Sequence, residues 1–146
     1  MKIRKAKDVD RETWFCMRTE LWPDCRGERH ELEIEQLIES GGVVLVAEGE
    51  DGALRGFVEI SVRRDHVPGA SSTPIPYIEG WYVDPAARGQ GVGAQLVRAA
   101  EDWARGRAFH EIASDAVIDN EGSIRAHAAL GFHETSREVH FIKSIH

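Results

Sequence analysis

The stretch from Trp81 to Gly93, Trp-Tyr-Val-Asp-Pro-Ala-Ala-Arg-Gly-Gln-Gly-Val-Gly, restricts what this chain can fold into more than any other. It reads as a strand, a turn at Asp84-Pro85, then Arg88 and the alternating glycines Gly89, Gly91 and Gly93, which open a helix. Glycine accepts φ > 0 and carries no Cβ, so successive backbone N–H groups can face one concave space. Beneath them lies a helix N-terminus carrying roughly half a positive charge. Such a unit requires a sheet with a helix packed on it, and it offers an anion cradle suited to a pyrophosphate.

Other nucleotide motifs fit the stretch less well. Gly89-x-Gly91-x-x-Ala94 satisfies the dinucleotide pattern, with Glu111 near the place of a ribose-binding acid. That pattern, however, puts its first glycine directly after the strand, whereas here Asp84 to Arg88 intervene. A phosphate-binding P-loop needs a Gly-Lys dipeptide, which the chain lacks.

The spacing Arg88-x-x-Gly91-x-Gly93 after a strand ending Val-Asp-Pro resembles the acetyl-CoA loop of the GCN5-related N-acetyltransferases (GNAT). A second signature follows about thirty residues later: Asn120, then a helix ending Leu130-Gly131-Phe132. The resemblance implies the GNAT fold, an α/β architecture with a mixed, mostly antiparallel sheet and helices on both faces. One pair of strands would splay to admit acetyl-CoA. It also implies cofactor contacts at Trp81, Tyr82, Val83, Arg88, Gly89, Gln90, Gly91, Val92, Gly93, Ala94 and Asn120. Asn120 reads equally well as a helix cap.

With 146 residues, 42% hydrophobic and 29% charged, the composition is that of an ordinary globular domain, and the expectation is one domain over 1–146. No apolar run approaches the roughly 18 residues that span a membrane, and the basic N-terminus lacks the apolar core of a secretory signal. The expectation is therefore cytoplasmic. Cys16 and Cys25 form no zinc pattern with the seven histidines, so neither a metal nor a disulfide is expected. A net charge of −7 disfavours nucleic acid and favours cationic small molecules.

Periodicity gives the order β-α-α-β-β-β-α-β-α-β. The first strand covers Lys2 to Arg4, followed by helices from Asp10, a candidate N-cap, to Leu21 and from Glu28 to Glu39. A hairpin takes up Val43–Glu48 and Leu54–Val62, and a long loop runs from Arg63 to Pro76. Beyond it come a strand at Tyr77–Val83, a helix at Val92–Arg105, a strand at Glu111–Asp115, a helix at Ser123–Leu130 and a last strand at Thr135–Lys143.

Acetyl transfer to an amine requires the amine to lose a proton, the thioester carbonyl to be polarised and the thiolate to leave. Direct attack needs no enzyme nucleophile. Period 2 places Tyr77, Glu79 and Trp81 on one strand face beside the cofactor, so Glu79 is the candidate base or ammonium ligand. A carboxylate among apolar groups resists ionisation unless a cation pairs with it. Asp115, at the carboxyl end of the next strand, is a second candidate acid, or else a turn or cap residue. His127 stands where many acetyltransferases carry a tyrosine assigned to protonating the thiolate; a packing or hydrogen-bonding role fits it equally.

A narrower resemblance spans most of the chain. Leu21-Trp22-Pro23, Arg63-Arg-Asp-His66, Tyr77-Ile-Glu79-Gly80, Ala113-Ser114-Asp115 and Ala129-Leu-Gly-Phe132 are similar to aminoglycoside 6′-N-acetyltransferases. It implies a cationic aminoglycoside as acceptor, with Trp22, Glu79 and Asp115 in contact with it, and a homodimer whose seam includes Glu138–Ile142. Where such enzymes often carry His, Tyr and Glu around the antibiotic, this chain has Cys25, His66 and Ser136. Glu138 is placed to supply the acid that Ser136 lacks. The rival activities are acetylation of a polyamine, peptide N-terminus or lysine, and non-catalytic binding of acyl-CoA.

Overall fold

The computed structural model describes residues 1–146. Its strands are β1 (Lys2–Lys5), β2 (Val43–Glu48), β3 (Leu54–Arg63), β4 (Ile75–Val83) and β5 (Ala113–Ser114). Its helices are α1 (Arg11–Leu21), α2 (Glu28–Glu39), α3 (Val92–Gly106) and α4 (Glu121–Ala129). The strands lie in chain order in one sheet, antiparallel from β1 to β4 and parallel between β4 and β5.

Strand β2 is buried on both faces, and its alternation sorts the core into two layers. Val43, Leu45 and Ala47 pack with Leu96, Val97 and Ala100 of α3. Val44 and Val46 pack with Trp14 and Met17 of α1 and with Ile34 and Leu37 of α2. The helix α2 matches its expected bounds; Ile34 and Leu37 face the core, whereas Leu32 and Ile38 are exposed. Asp10 does occupy the N-cap of α1, yet its carboxylate makes no cap bond. It accepts instead from Arg4 at 2.7 and 2.9 Å and from the Lys7 amide.

Three differences from the sequence reading matter for the site. First, β3 and β4 shift register: Glu59 pairs with Gly80 but Ile60 with Ile78, so Glu79 is left out of the ladder. A bulge of this kind re-aims side chains. Trp81 therefore packs towards α3 with Ile78, while Glu79 points to the side of α1 and α2; the shared face of Tyr77, Glu79 and Trp81 is not found. Second, β5 is reduced to two residues, paired as Tyr77↔Ala113 and Ile78↔Ser114. Beyond Ile78 the two strands part, which is the expected splay. Third, residues 133–146 form no strand. Strand identity depends on a partner's hydrogen bonds, and within one chain this segment has none. No helix is long and apolar enough to cross a membrane.

Candidate active site

The glycine loop follows a short 3₁₀ turn at Pro85–Ala87, which Asp84 caps by accepting from the Ala86 amide. Gly89 and Gly91 take φ of +78° and +82°, and a Cβ built on either would meet no atom within 4 Å. The backbone here borders open space, as a cradle for an external anion must. Gly91 is the N-cap of α3 with no side-chain bond across it. Gly93 serves close packing instead, since a Cβ there would lie 3.2 Å from the Trp81 ring, whose Nε1 donates to the Gly93 carbonyl at 3.1 Å. Arg88 turns back to donate to the Val83 carbonyl at 2.8 Å, tying the loop to the strand.

On the other side of the sheet lies a cleft of about 690 Å³ between the α1–α2 connection and β3–β4. Trp22, Cys25 and Glu79 line it together with Arg18, Glu33 and Glu59. The tryptophan is seated against backbone: a Cβ on Gly80 would come within 2.9 Å of its Cζ2. From beneath, the Arg18 guanidinium lies 4.7 Å from the indole centroid. Fully buried, Arg18 donates to both oxygens of Glu59, to Glu33 and, through Nε, to His30 Nδ1 at 3.1 Å. Burial pushes the Glu59 carboxyl up to about 7, against the opposing pull of Arg18 and Trp14. Cys25 is held 3.3 Å from His30 Nδ1, and burial pushes its thiol up. It is therefore a protonated wall residue rather than a nucleophile.

Glu79 is not an isolated acid. Arg63 grips it in a two-pronged bond, Nε to Oε2 at 2.9 Å and Nη2 to Oε1 at 2.7 Å, and the Ser61 hydroxyl donates to Oε2. The same guanidinium lies 3.4 Å from the Tyr77 ring centroid, and the Tyr77 hydroxyl donates to Asp115 Oδ2 at 2.8 Å. Burial, then the Asp115 bond, raise the Tyr77 phenol well above its ordinary range, so it stays a donor. The two expected acids are thus joined through Arg63 and Tyr77.

His127 Nδ1 lies 2.7 Å from the Ser123 carbonyl, which can only accept, so the neutral ring carries its proton on Nδ1. Its Nε2 then accepts from the Ser114 hydroxyl at 2.8 Å. Trp81 and Phe132 stack edge-on at 5.1 and 5.2 Å. Asn120 caps α4, accepting from the Ser123 amide at 3.0 Å. His66, Asp115, Ser136 and Glu138 are exposed and do not line the cleft. Two of them belong to the segment that finds no strand partner, which is why they stand apart.

Arg63, Ser61 and Ser114 enter the site unforeseen, as does the bond from Tyr77 to Asp115. The available signal was Glu79 itself: an acid inside an otherwise apolar strand calls for a cation on the neighbouring strand.

A sheet whose parallel pair parts above an open glycine loop, with an acid-lined cleft across β4, is the frame of an acyl-group transferase. The chain belongs to the acetyltransferase (GNAT) family, whose model matches residues 6–132. It is 43% identical to an aminoglycoside N(6′)-acetyltransferase type 1 of Klebsiella aerogenes, covering 98% of this chain and 96% of that protein. A protein of the same name from Stenotrophomonas maltophilia is 40% identical, covering 95% and 90%. Among solved structures, the aminoglycoside 6′-N-acetyltransferase AAC(6′)-Ig of Acinetobacter haemolyticus superposes with a TM-score of 0.88 at 36% identity, each chain covered in full. AAC(6′)-Iy, solved with a bisubstrate analogue joining coenzyme A to an acetylated neamine, gives 0.88 at 32% identity, covering 99% of this chain and 98% of that one.

Proposed function

We propose that residues 1–146 form one catalytic domain, a cytoplasmic enzyme that transfers the acetyl group of acetyl-CoA to the 6′-amine of aminoglycosides and so confers resistance to them. The observation that carries this reading is the cleft in which Trp22, Cys25 and Glu79 meet, on the α1–α2 side of the strand whose other side faces the glycine-loop helix.

The residues present fit coenzyme A. The open backbone at Gly89 and Gly91 and the uncapped start of α3 suit a diphosphate, and the unpaired edge of β4 beyond Ile78 suits an amide-bearing arm. When bound, acetyl-CoA supplies the acetyl group as a thioester. Trp22 gives an aromatic wall against which an aminosugar or its ammonium can lie. Glu79 holds the amine end by charge, and Asp115, outside the cleft lining, anchors Tyr77 beside it. Three donors already bond Glu79, so an amine reaches it by displacing one of them; the carboxylate then orients the amine, whose proton leaves through water. The bonding of His127 favours its packing role: its bare Nε2 fixes Ser114, and its ring fixes α4 against Trp81.

We read the working form as a homodimer. The outer edge of β5 has no neighbour, and Val139, Phe141 and Ile142 stand 76%, 91% and 101% exposed. An unpaired edge beside an apolar extended segment is completed most economically by a second copy.

Release of thiol from acetyl-CoA, measured across aminoglycosides with and without a 6′-amine, tests the function. Activity confined to acceptors bearing that amine is expected. Faster turnover of spermidine or of peptides would replace the aminoglycoside as substrate.

A further inference from the structure

The features that would recognise an acceptor's ammonium are already satisfied by a cation of the chain itself. Arg63 lies in the fork of Glu79, against the face of Tyr77, whose hydroxyl leads to Asp115. Its side chain is 41% exposed and Glu79's 29%, so the pair sits at the rim, where Arg63 can swing outward without opening the core. The neighbouring Arg64 is turned away, donating to the carbonyls of Ser40 and Val62, and offers Glu79 no second cation.

A guanidinium that binds a carboxylate by two parallel N–H donors and lies on an aromatic ring holds it more tightly than one ammonium does. An amine arriving at Glu79 must therefore exchange with Arg63 rather than fill an unoccupied anionic site. A monocation gives up as much as it gains. A polycation gains more, because a further ammonium group can meet Asp24, an acid of the same cleft that no arginine pairs, whereas Glu33 is already held by Arg18 and Arg29. We infer that Arg63 is a specificity-determining residue, a resident counter-cation that makes acceptor binding a cation exchange and so selects polycationic amines over simple ones. This rests on the reading of the cleft as the acceptor site.

The test compares Arg63→Gln with the wild-type enzyme. The two acceptors are a polyamino aminoglycoside and the methyl glycoside of 6-amino-6-deoxyglucose, which carries the same amine alone. The wild type should prefer the polycation, and the substitution should lower that preference in kcat/KM at least about tenfold, chiefly through a lower KM for the monoamine. A parallel loss for both acceptors, or an unchanged ratio, would mean that Arg63 merely supports the fold and would overturn the inference. The wild-type protein gives an independent reading by NMR. The Arg63 Nε–H resonance should move when the aminoglycoside saturates the site, and its constancy would overturn the exchange even if the variant failed to fold. No acetylation of any aminoglycoside by the wild type would instead defeat the functional reading beneath it.

Discussion

A carboxylate's neighbours decide its part in this molecule. Asp10, Glu59 and Glu79 each face an arginine; at Asp10 the bond from Arg4 wins and lowers the pKa, whereas at Glu59 desolvation outweighs pairing. An acid whose folded pKa lies above its unfolded one contributes most to stability below the unfolded value of about 4.5, and that contribution disappears as pH rises towards 7. Measured by urea unfolding, the stability of the wild type relative to Glu59→Gln should therefore fall between pH 4.5 and 7, by on the order of 1–3 kcal/mol. His30, whose pKa burial lowers, adds a slope of opposite sign to both proteins. An identical pH profile in the variant would contradict the role of Glu59. At Gly80, a methyl group has no room against the Trp22 ring. Gly80→Ala should cost about 1–3 kcal/mol. It should also raise the KM of the acceptor while leaving that of acetyl-CoA near its wild-type value, which steady-state kinetics with each substrate varied in turn will show.

Among the elements, the glycine loop was the most legible, because positive φ and absent side chains are written directly in residue type. Gly91→Ala forces a Cβ onto φ +82° without any steric neighbour, so its cost is backbone strain alone, about 1–2 kcal/mol. The KM for acetyl-CoA should rise and that for the acceptor should not; the reverse pattern would move the cofactor elsewhere. Strand β4 was less legible. Its residues alternate as any strand does, and nothing local marks Glu79 as the position omitted from pairing with β3. A bulge is a property of two strands in register, so one strand's pattern cannot reveal it. The helix α2, by contrast, ends at Gly41 with φ +94°, a terminator visible in the sequence.

At the scale of the molecule, the exposed C-terminal segment and the net charge of −7 each have a consequence in solution. Sedimentation should give twice the chain mass for the wild type and the monomer for a chain ending at Arg137, which lacks Val139, Phe141 and Ile142. A wild-type monomer at micromolar concentration would remove the dimer. A negatively charged enzyme acting on a polycation should also bind it less tightly as salt rises, since the Debye length falls from about 10 Å at 0.1 M to 3 Å at 1 M. The acceptor's KM should increase severalfold over that range, and a flat response would argue that the cleft acids act only at contact.

Residue type and period were enough to mark the glycine loop and the α2 boundaries, because each depends on neighbours close along the chain, and the family came from the resemblance of its motifs in their order. Only the folded arrangement decided that Arg63 clasps Glu79, that Tyr77 reaches Asp115, and that Trp81 turns from Glu79. Those pairings join residues 16 and 38 positions apart. They arise from strand register and layer packing, which no single segment specifies.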